Sequence, residues 1–108
     1  MSRPSEELLN PLWAATLDEI NVDVLRERVV ITAHALDGDD VTRYVLECVD
    51  AKDMRYERGD REHDWEYVEI SEAHLRLTAG GRFEVELEFW VPGCQMTLDV
   101  GDVTLQVG

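Results

Sequence analysis

The sequence predicts a single, mainly β domain. Apolar and polar side chains alternate with a period of two over most of the chain, which is the pattern of strands with one buried face. Turn signals that contain glycine separate these runs, at Asp37-Gly38-Asp39-Asp40, Ala79-Gly80-Gly81 and Gly101-Asp102. We therefore expect about seven short, mostly antiparallel strands in a meander. Strands with one apolar face must close over a core, as a sandwich or as a curled, barrel-like sheet.

The two ends of the chain differ in character. Residues 1–11 are polar and contain two prolines, Pro4 and Pro11, so this N-terminal segment supports no more than one short turn. We expect residues 12–108 to form one β domain, because no linker or repeat divides them.

Two hairpins are predicted in the first half of the chain. A connection at residues 25–28 places Val22 opposite Ile31, and the turn after Leu36 places Ile31 opposite Leu46. Both registers put the apolar side chains of the paired strands on one face. A slip of one residue would turn all of them away from that face, which favours these registers.

The alternation stops between residues 50 and 64, where most side chains are charged. Basic residues recur there every three positions, at Lys52, Arg55, Arg58 and Arg61. This spacing allows at most one short helix, near residues 51–58, in an exposed connection.

The clearest hairpin joins Leu75–Leu77 to Phe83–Val85 through a glycine loop, which supplies a left-handed backbone conformation. The implied register places Arg76 opposite Glu84 and His74 opposite Glu86 on the solvent side. Opposite charges across two strands favour this pairing over its neighbours. A last hairpin is expected to pair Met96–Val100 with Val103–Val107 across Gly101-Asp102.

The net charge of the chain limits the classes of partner that it can bind. It carries 24 acidic and 10 basic side chains, for a formal net charge of −14. Such a field repels phosphate backbones and attracts basic proteins, so we expect no nucleic-acid partner. No apolar run is long enough for a signal peptide or a membrane span, which predicts a cytoplasmic protein with no membrane partner.

No set of residues has the spacing of a catalytic or metal site. The three histidines, His34, His63 and His74, are not brought together by the predicted registers. Cys48 is expected in the core and Cys94 nearer the surface, with no base assignable to either. The aspartates around Gly38 form a turn too short for an EF-hand. We predict no cofactor, no metal and no enzymatic activity.

One strand face is instead a candidate for partner binding. Glu84, Glu86 and Glu88 lie on its solvent side, about 7 Å apart. At the end of this face, Trp90 is predicted to share an apolar cluster with two residues of the neighbouring strand, Val68 and Ile70. Such a cluster is either covered, here by Trp13 and the N-terminal segment, or used to hold a partner.

The order of these signals resembles the YxiG-like proteins, a loose set of small bacterial domains of unknown function with relatives among candidate immunity proteins of toxin systems. The similarity spans residues 12–107. It rests on Leu17-Asp18-Glu19-Ile20 before Asn21-Val22-Asp23, on Tyr44-Val45-Leu46, on Trp65 before Glu69-Ile70-Ser71-Glu72, and on Leu98-Asp99-Val100. The resemblance implies a small bacterial β-rich domain that binds a protein partner.

The leading hypothesis is a non-enzymatic acidic protein-binding domain, such as an immunity-type protein that captures a basic toxin. One alternative is a small enzyme with an acid–base pair among Glu69, Glu72, His74 and Glu86. Another is a homodimeric structural subunit whose exposed strand edges pair with each other.

Overall fold

The computed structural model describes residues 7–57, 68–90 and 94–107. These residues form eight antiparallel strands and two short 3-10 turns, Asn10–Leu12 and Ala79–Gly81. The strands are β1 Thr16–Asp23, β2 Arg28–Asp37, β3 Asp40–Val49, β4 Asp53–Glu57, β5 Val68–Leu77, β6 Phe83–Phe89, β7 Gln95–Val100 and β8 Asp102–Val107. The mainly β fold predicted from the sequence is confirmed, with one strand more than expected.

The strands form one sheet in the order β4-β7-β6-β5-β1-β2-β3-β8, which does not close into a barrel. Its middle is narrow, because β1 and β5 share only two residue pairs, Thr16 with Glu69 and Leu17 with Val68. The sheet therefore has two halves, β1-β2-β3-β8 and β4-β7-β6-β5. Buried side chains of both halves form one core, so the halves pack over each other as the layers of a sandwich do.

Two predicted hairpins are confirmed residue by residue. In β2 and β3, Ile31 lies opposite Leu46 and Val29 opposite Cys48. In β5 and β6, Leu75 lies opposite Val85, as expected from the cross-strand charges. The loop between β5 and β6 uses its glycines for left-handed backbone, with φ 83° at Gly80 and 76° at Gly81.

The register of β1 and β2 differs from the prediction by two residues. Val22 lies opposite Val29, and Ile20 lies opposite Ile31. The connecting turn is residues 24–27 rather than 25–28, and it ends at Glu27 in a left-handed conformation with φ 52°. Because the shift is even, the apolar side chains keep the face that the alternation predicts.

The predicted last hairpin is wrong. β7 pairs with β6 and β4, whereas β8 pairs with β3 in the other half of the sheet. Only Gly101 separates the two strands, and the chain crosses there from one half to the other. The alternation of residues 96–107 suits both arrangements, because each strand needs only one face on the shared core.

The region near residues 51–58, where the sequence allowed a short helix, contains β4 instead. Met54 and Tyr56 alternate with charged neighbours, and β4 pairs with β7 from Asp53 opposite Asp99 to Glu57 opposite Gln95. The partner strand thus outweighs the three-residue recurrence of basic side chains.

The N-terminal segment contributes to the core. Leu9 and Leu12 are 0% and 1% exposed, although Leu9 lies within the polar segment 1–11. The chain then follows the edge of β5, where Ala14 N–H donates to Ile70 O at 2.7 Å and Ile70 N–H donates to Ala15 O at 2.8 Å. Within the described residues, no helix is long and apolar enough to cross a membrane.

Candidate binding face

The outer surface of β5, β6, β7 and β4 carries an ordered array of charged side chains. In β6, Glu84, Glu86 and Glu88 alternate with buried apolar residues, so all three point away from the core. Directly opposed residues of antiparallel strands point to the same side, so the registers identify their neighbours on this surface.

The registers place twelve side chains in three rows across the four strands. From β5 to β4 the rows are Arg76, Glu84, Asp99, Asp53; His74, Glu86, Thr97, Arg55; and Glu72, Glu88, Gln95, Glu57. We call these twelve residues the acidic face. It carries seven carboxylates against two arginines and one histidine.

The acidic face is concave over β6, β7 and β4. An open depression of about 470 Å³ lies there, and its lining includes Asp53, Arg55, Glu84, Glu86 and Asp99. Five of the ten lining residues are acidic and one is basic, so a group that entered the depression would meet an excess of negative charge.

Basic side chains on and beside the first row form ion pairs with neighbouring carboxylates. Arg76 Nη1 lies 2.7 Å from Glu86 Oε2 and 3.6 Å from Glu84 Oε1. Arg82, which precedes β6 and lies outside the twelve residues, donates from Nε to Asp99 Oδ1 of the first row at 2.8 Å. These contacts orient the carboxylates but leave the face with an excess of negative charge.

A pair of carboxyl groups occupies the third row. Glu72 lies opposite Glu88, and a hydrogen bond between the two carboxyl groups raises the pKa of Glu88; burial and the charges of Glu72 and Glu86 add to this. The same hydrogen bond lowers the pKa of Glu72, helped by His74, whose Nε2 lies 3.4 Å from Glu72 Oε1. The first proton taken up by this pair therefore resides on Glu88.

Trp90 and Ile70, two residues of the predicted apolar cluster, do not lie together in the structure. Trp90 is 58% exposed at the end of β6, and its backbone N–H donates to Glu69 O at 3.1 Å. Ile70 is 0% exposed and belongs to the core, so its predicted position beside Trp90 on the outer face is wrong. The cause is an irregularity between Ile70 and Glu72 that shifts the register and turns Ile70 inward opposite Phe89. Val68 pairs with Leu17, and its side chain lies outside the described residues.

Trp13 covers a different part of β5 from the one predicted. Its Nε1–H donates to Ala73 O at 2.8 Å, and its ring meets the His74 ring edge-on at a centroid distance of 5.4 Å. The N-terminal segment thus fixes His74 at the border of the acidic face and leaves Trp90 exposed.

The other residues considered for chemistry lie apart. His34 lies opposite Arg43, as predicted, and its Nδ1 is 2.8 Å from Asp18 Oδ1. Cys48 is buried as expected, but Cys94 is 2% exposed, so its predicted position nearer the surface is wrong. His63 lies outside the described residues.

The remaining acidic candidates do not converge. Asp37, Asp39 and Asp40 are exposed at the turn between β2 and β3. In the described part of the chain, no group of three or more histidine, cysteine, aspartate or glutamate side chains has the geometry of a metal site.

Comparison with known proteins adds no assignment. No protein-family model matches the chain, and no curated protein matches it. The resemblance to YxiG-like proteins therefore stays a prediction.

Several features of the face could not be found from the sequence. The contributions of Asp53, Arg55 and Glu57 depend on β4, which the sequence does not distinguish from a short helix. The contact of Glu72 with Glu88 depends on the irregularity in β5. The signal that was available is the alternation in β6, which correctly placed Glu84, Glu86 and Glu88 on one face.

Proposed function

We propose that the protein is a non-enzymatic binding domain that captures a basic protein through the acidic face. The observation that carries this proposal is the gathering of seven carboxylates on one concave sheet surface. A cleft lined by charges of one sign focuses the electrostatic field and speeds the approach of an oppositely charged partner.

The distribution of charge supports a specific surface rather than general solubility. On the opposite outer surface, one carboxylate, Glu47, lies at the centre of β2, β3 and β8, where Arg28 pairs with it at 2.7 Å. Its neighbours there are uncharged: Val30, Thr32, Val45, Thr104 and Gln106. The seven carboxylates of the acidic face therefore outnumber those at the centre of this second surface.

The spacing of the carboxylates suits lysine and arginine side chains. Neighbours along one strand are separated by about 7 Å and neighbours on adjacent strands by about 5 Å. A basic segment lying across the strands along the first or the third row would meet three carboxylates in four positions. Trp90, exposed at the end of β6, provides an aromatic anchor of the kind that is enriched at interface centres.

A binding role accounts for the geometry better than the catalytic alternative. Glu72 and His74 are in contact but do not line the depression, and Glu86, which does line it, is paired with Arg76 at 2.7 Å. A catalytic pair is normally expected at the pocket that holds the substrate. Capture of a basic toxin, as by an immunity-type protein, is the form of binding that the YxiG-like resemblance favours.

The test is to map where a basic probe binds. A synthetic oligolysine peptide is titrated into isotope-labelled protein, and the backbone amide shifts are followed by NMR at low and high salt, with oligoglutamate as the control peptide. We expect the shifts to cluster on the acidic face and to fade as salt screens the charges.

Two matched variants separate the face from net charge. Glu84→Gln with Glu86→Gln and Asp39→Asn with Asp40→Asn each remove two negative charges, the second pair at the distant β2–β3 turn. We expect only the first to lower the association rate severalfold. Equal effects of the two variants would show that total charge, not the acidic face, governs binding.

A further inference from the structure

We propose that the protein forms a two-fold symmetric homodimer in which β8 of one copy pairs antiparallel with β8 of a second copy. This interface is separate from the acidic face and does not depend on the function proposed for it.

β8 has one edge that no described strand uses. It is the last strand of the sheet and pairs with β3 through six consecutive residue pairs, with no register shift. In an antiparallel strand, every second residue directs its N–H and C=O away from a given neighbour. The outer edge of β8 is therefore a straight row of donors and acceptors that suits another strand.

The two end strands of the sheet, β4 and β8, differ in the charged side chains that would prevent another strand from pairing with them. β4 carries charged side chains at Asp53, Arg55 and Glu57, which is a common way of preventing edge-to-edge pairing. β8 has a single charge, at its first residue Asp102, followed by five uncharged residues. In a chain with a net charge of −14, the uncharged edge is the one that can pair with a second copy without charge repulsion.

The sequence of β8 is complementary to itself. A two-fold axis at Leu105 places Thr104 opposite Gln106 of the second copy and Val103 opposite its Val107. No like charges meet in this register, so it avoids the repulsion that opposes pairing of two acidic chains. It also brings Val107, which is 70% exposed, beside an apolar partner.

The surroundings of β8 place little charge at the proposed interface. Thr104 lies opposite Glu47 of β3, and the Glu47 carboxylate is paired with Arg28 at 2.7 Å. The acidic face belongs to the other half of the sheet, so dimerisation through β8 leaves its carboxylates outside the interface.

The experiment introduces like charges at the two-fold axis. Sedimentation equilibrium of the wild-type protein over a wide range of concentration should show a monomer–dimer equilibrium. Thr104→Lys with Gln106→Lys should raise the dissociation constant of the dimer about tenfold, because two lysine pairs then face each other across the axis. These changes lower the net negative charge, so weaker association could not result from stronger overall repulsion.

Two further samples complete the test. Asp39→Asn with Asp40→Asn changes net charge by the same amount away from β8 and should leave the dissociation constant unchanged. Mixing the lysine variant with Thr104→Glu plus Gln106→Glu should restore a dimer, now between unlike copies, and this mixture also controls for loss of folding. A wild-type protein that stays monomeric at all concentrations overturns the proposal. So does a folded lysine variant that dimerises as well as the wild type.

Discussion

Gly101 lies so close to Asp50 that a methyl group on its Cα would be 2.7 Å from Asp50 Oδ2 and 2.9 Å from Asp50 Cβ. Asp50 is held in place, because its carboxylate accepts a hydrogen bond from Arg82 at 2.8 Å and pairs with Lys52 at 3.2 Å. The Gly101 N–H in turn donates to Val49 O at 2.9 Å. The chain therefore passes between the two halves of the sheet at a point where only glycine fits.

We expect Gly101→Ala to lower the free energy of unfolding by about 1–3 kcal/mol, because the added methyl group must displace the Asp50 backbone or its ion pairs. Urea unfolding followed by circular dichroism measures the change. The control is the same substitution in an Asp50→Gly background, where the obstructing side chain is absent and the left-handed backbone (φ 53°) suits glycine. An equal loss of stability in both backgrounds would contradict the steric explanation.

This crossing also shows what the sequence could and could not predict. Alternation predicted seven of the eight strands, and cross-strand charges such as Arg76 with Glu84 predicted the correct register for β5 and β6. The partners of β7 and β8 could not be predicted, because Gly101-Asp102 has the composition of a hairpin turn. The constraint that decides the path is the close approach of Asp50, a residue 51 positions away in the sequence.

The acidic face also has residues whose positions the sequence predicts and residues whose positions it does not. The three glutamates of β6 were predicted on one face because their positions depend only on the period of two. Ile70 was misplaced, because one irregularity in β5 reverses the side on which it lies. The strand contacts that complete the acidic face are distant in sequence and leave no local signal.

Trp13 attaches the N-terminal segment to the edge of β5, and Trp13→Phe tests this contact. The substitution removes the indole N–H that donates to Ala73 O at 2.8 Å. We expect a loss of about 1 kcal/mol in the free energy of unfolding, the usual contribution of one hydrogen bond. Trp90→Phe is the control, and we expect it to change stability by less than about 0.5 kcal/mol, because Trp90 is 58% exposed. Equal effects of the two substitutions would argue against the role assigned to Trp13.

Burial of Cys48 makes stability depend on alkaline pH. Burial, with a smaller contribution from the charge of Glu47, raises the pKa of the Cys48 thiol from 9.0 to about 12. The unfolded chain releases this proton at lower pH than the folded protein. The contribution to stability is therefore complete below pH 9.0 and is lost as pH rises to about 12.

Cys48→Ala should remove this pH dependence, which amounts to a slope of about 1.4 kcal/mol per pH unit. Urea unfolding at a series of alkaline pH values measures it. Val103→Ala is the matched control, because Val103 lies opposite Cys48, is 1% exposed and has no titratable group. We expect this control to lower stability at every pH but to keep the wild-type slope. A Cys48→Ala variant with the wild-type slope would show that another group is responsible.

Glu88→Gln should stabilise the protein at neutral pH, although it removes a charge from an exposed surface. Glu72 and Glu88 lie directly opposite each other, so the substitution removes the repulsion between two like charges on adjacent strands. The glutamine amide can also donate a hydrogen bond to Glu72 at any pH. Glu86→Gln is the control on the same strand, and it should destabilise slightly, because Glu86 pairs with Arg76 at 2.7 Å.

The effect of Glu88→Gln should depend on pH in a defined direction. The hydrogen bond with Glu72 raises the pKa of Glu88 above 4.5, so the folded protein holds this proton more tightly than the unfolded chain does. The resulting stability is present below pH 4.5 and is lost as pH rises through the folded pKa of Glu88. Because the variant has no such proton to lose, its advantage should be absent in acid and should grow toward neutral pH. Urea unfolding of both proteins across this range gives the difference directly, and an advantage that shrinks with rising pH would mean that the two carboxyl groups do not share a proton.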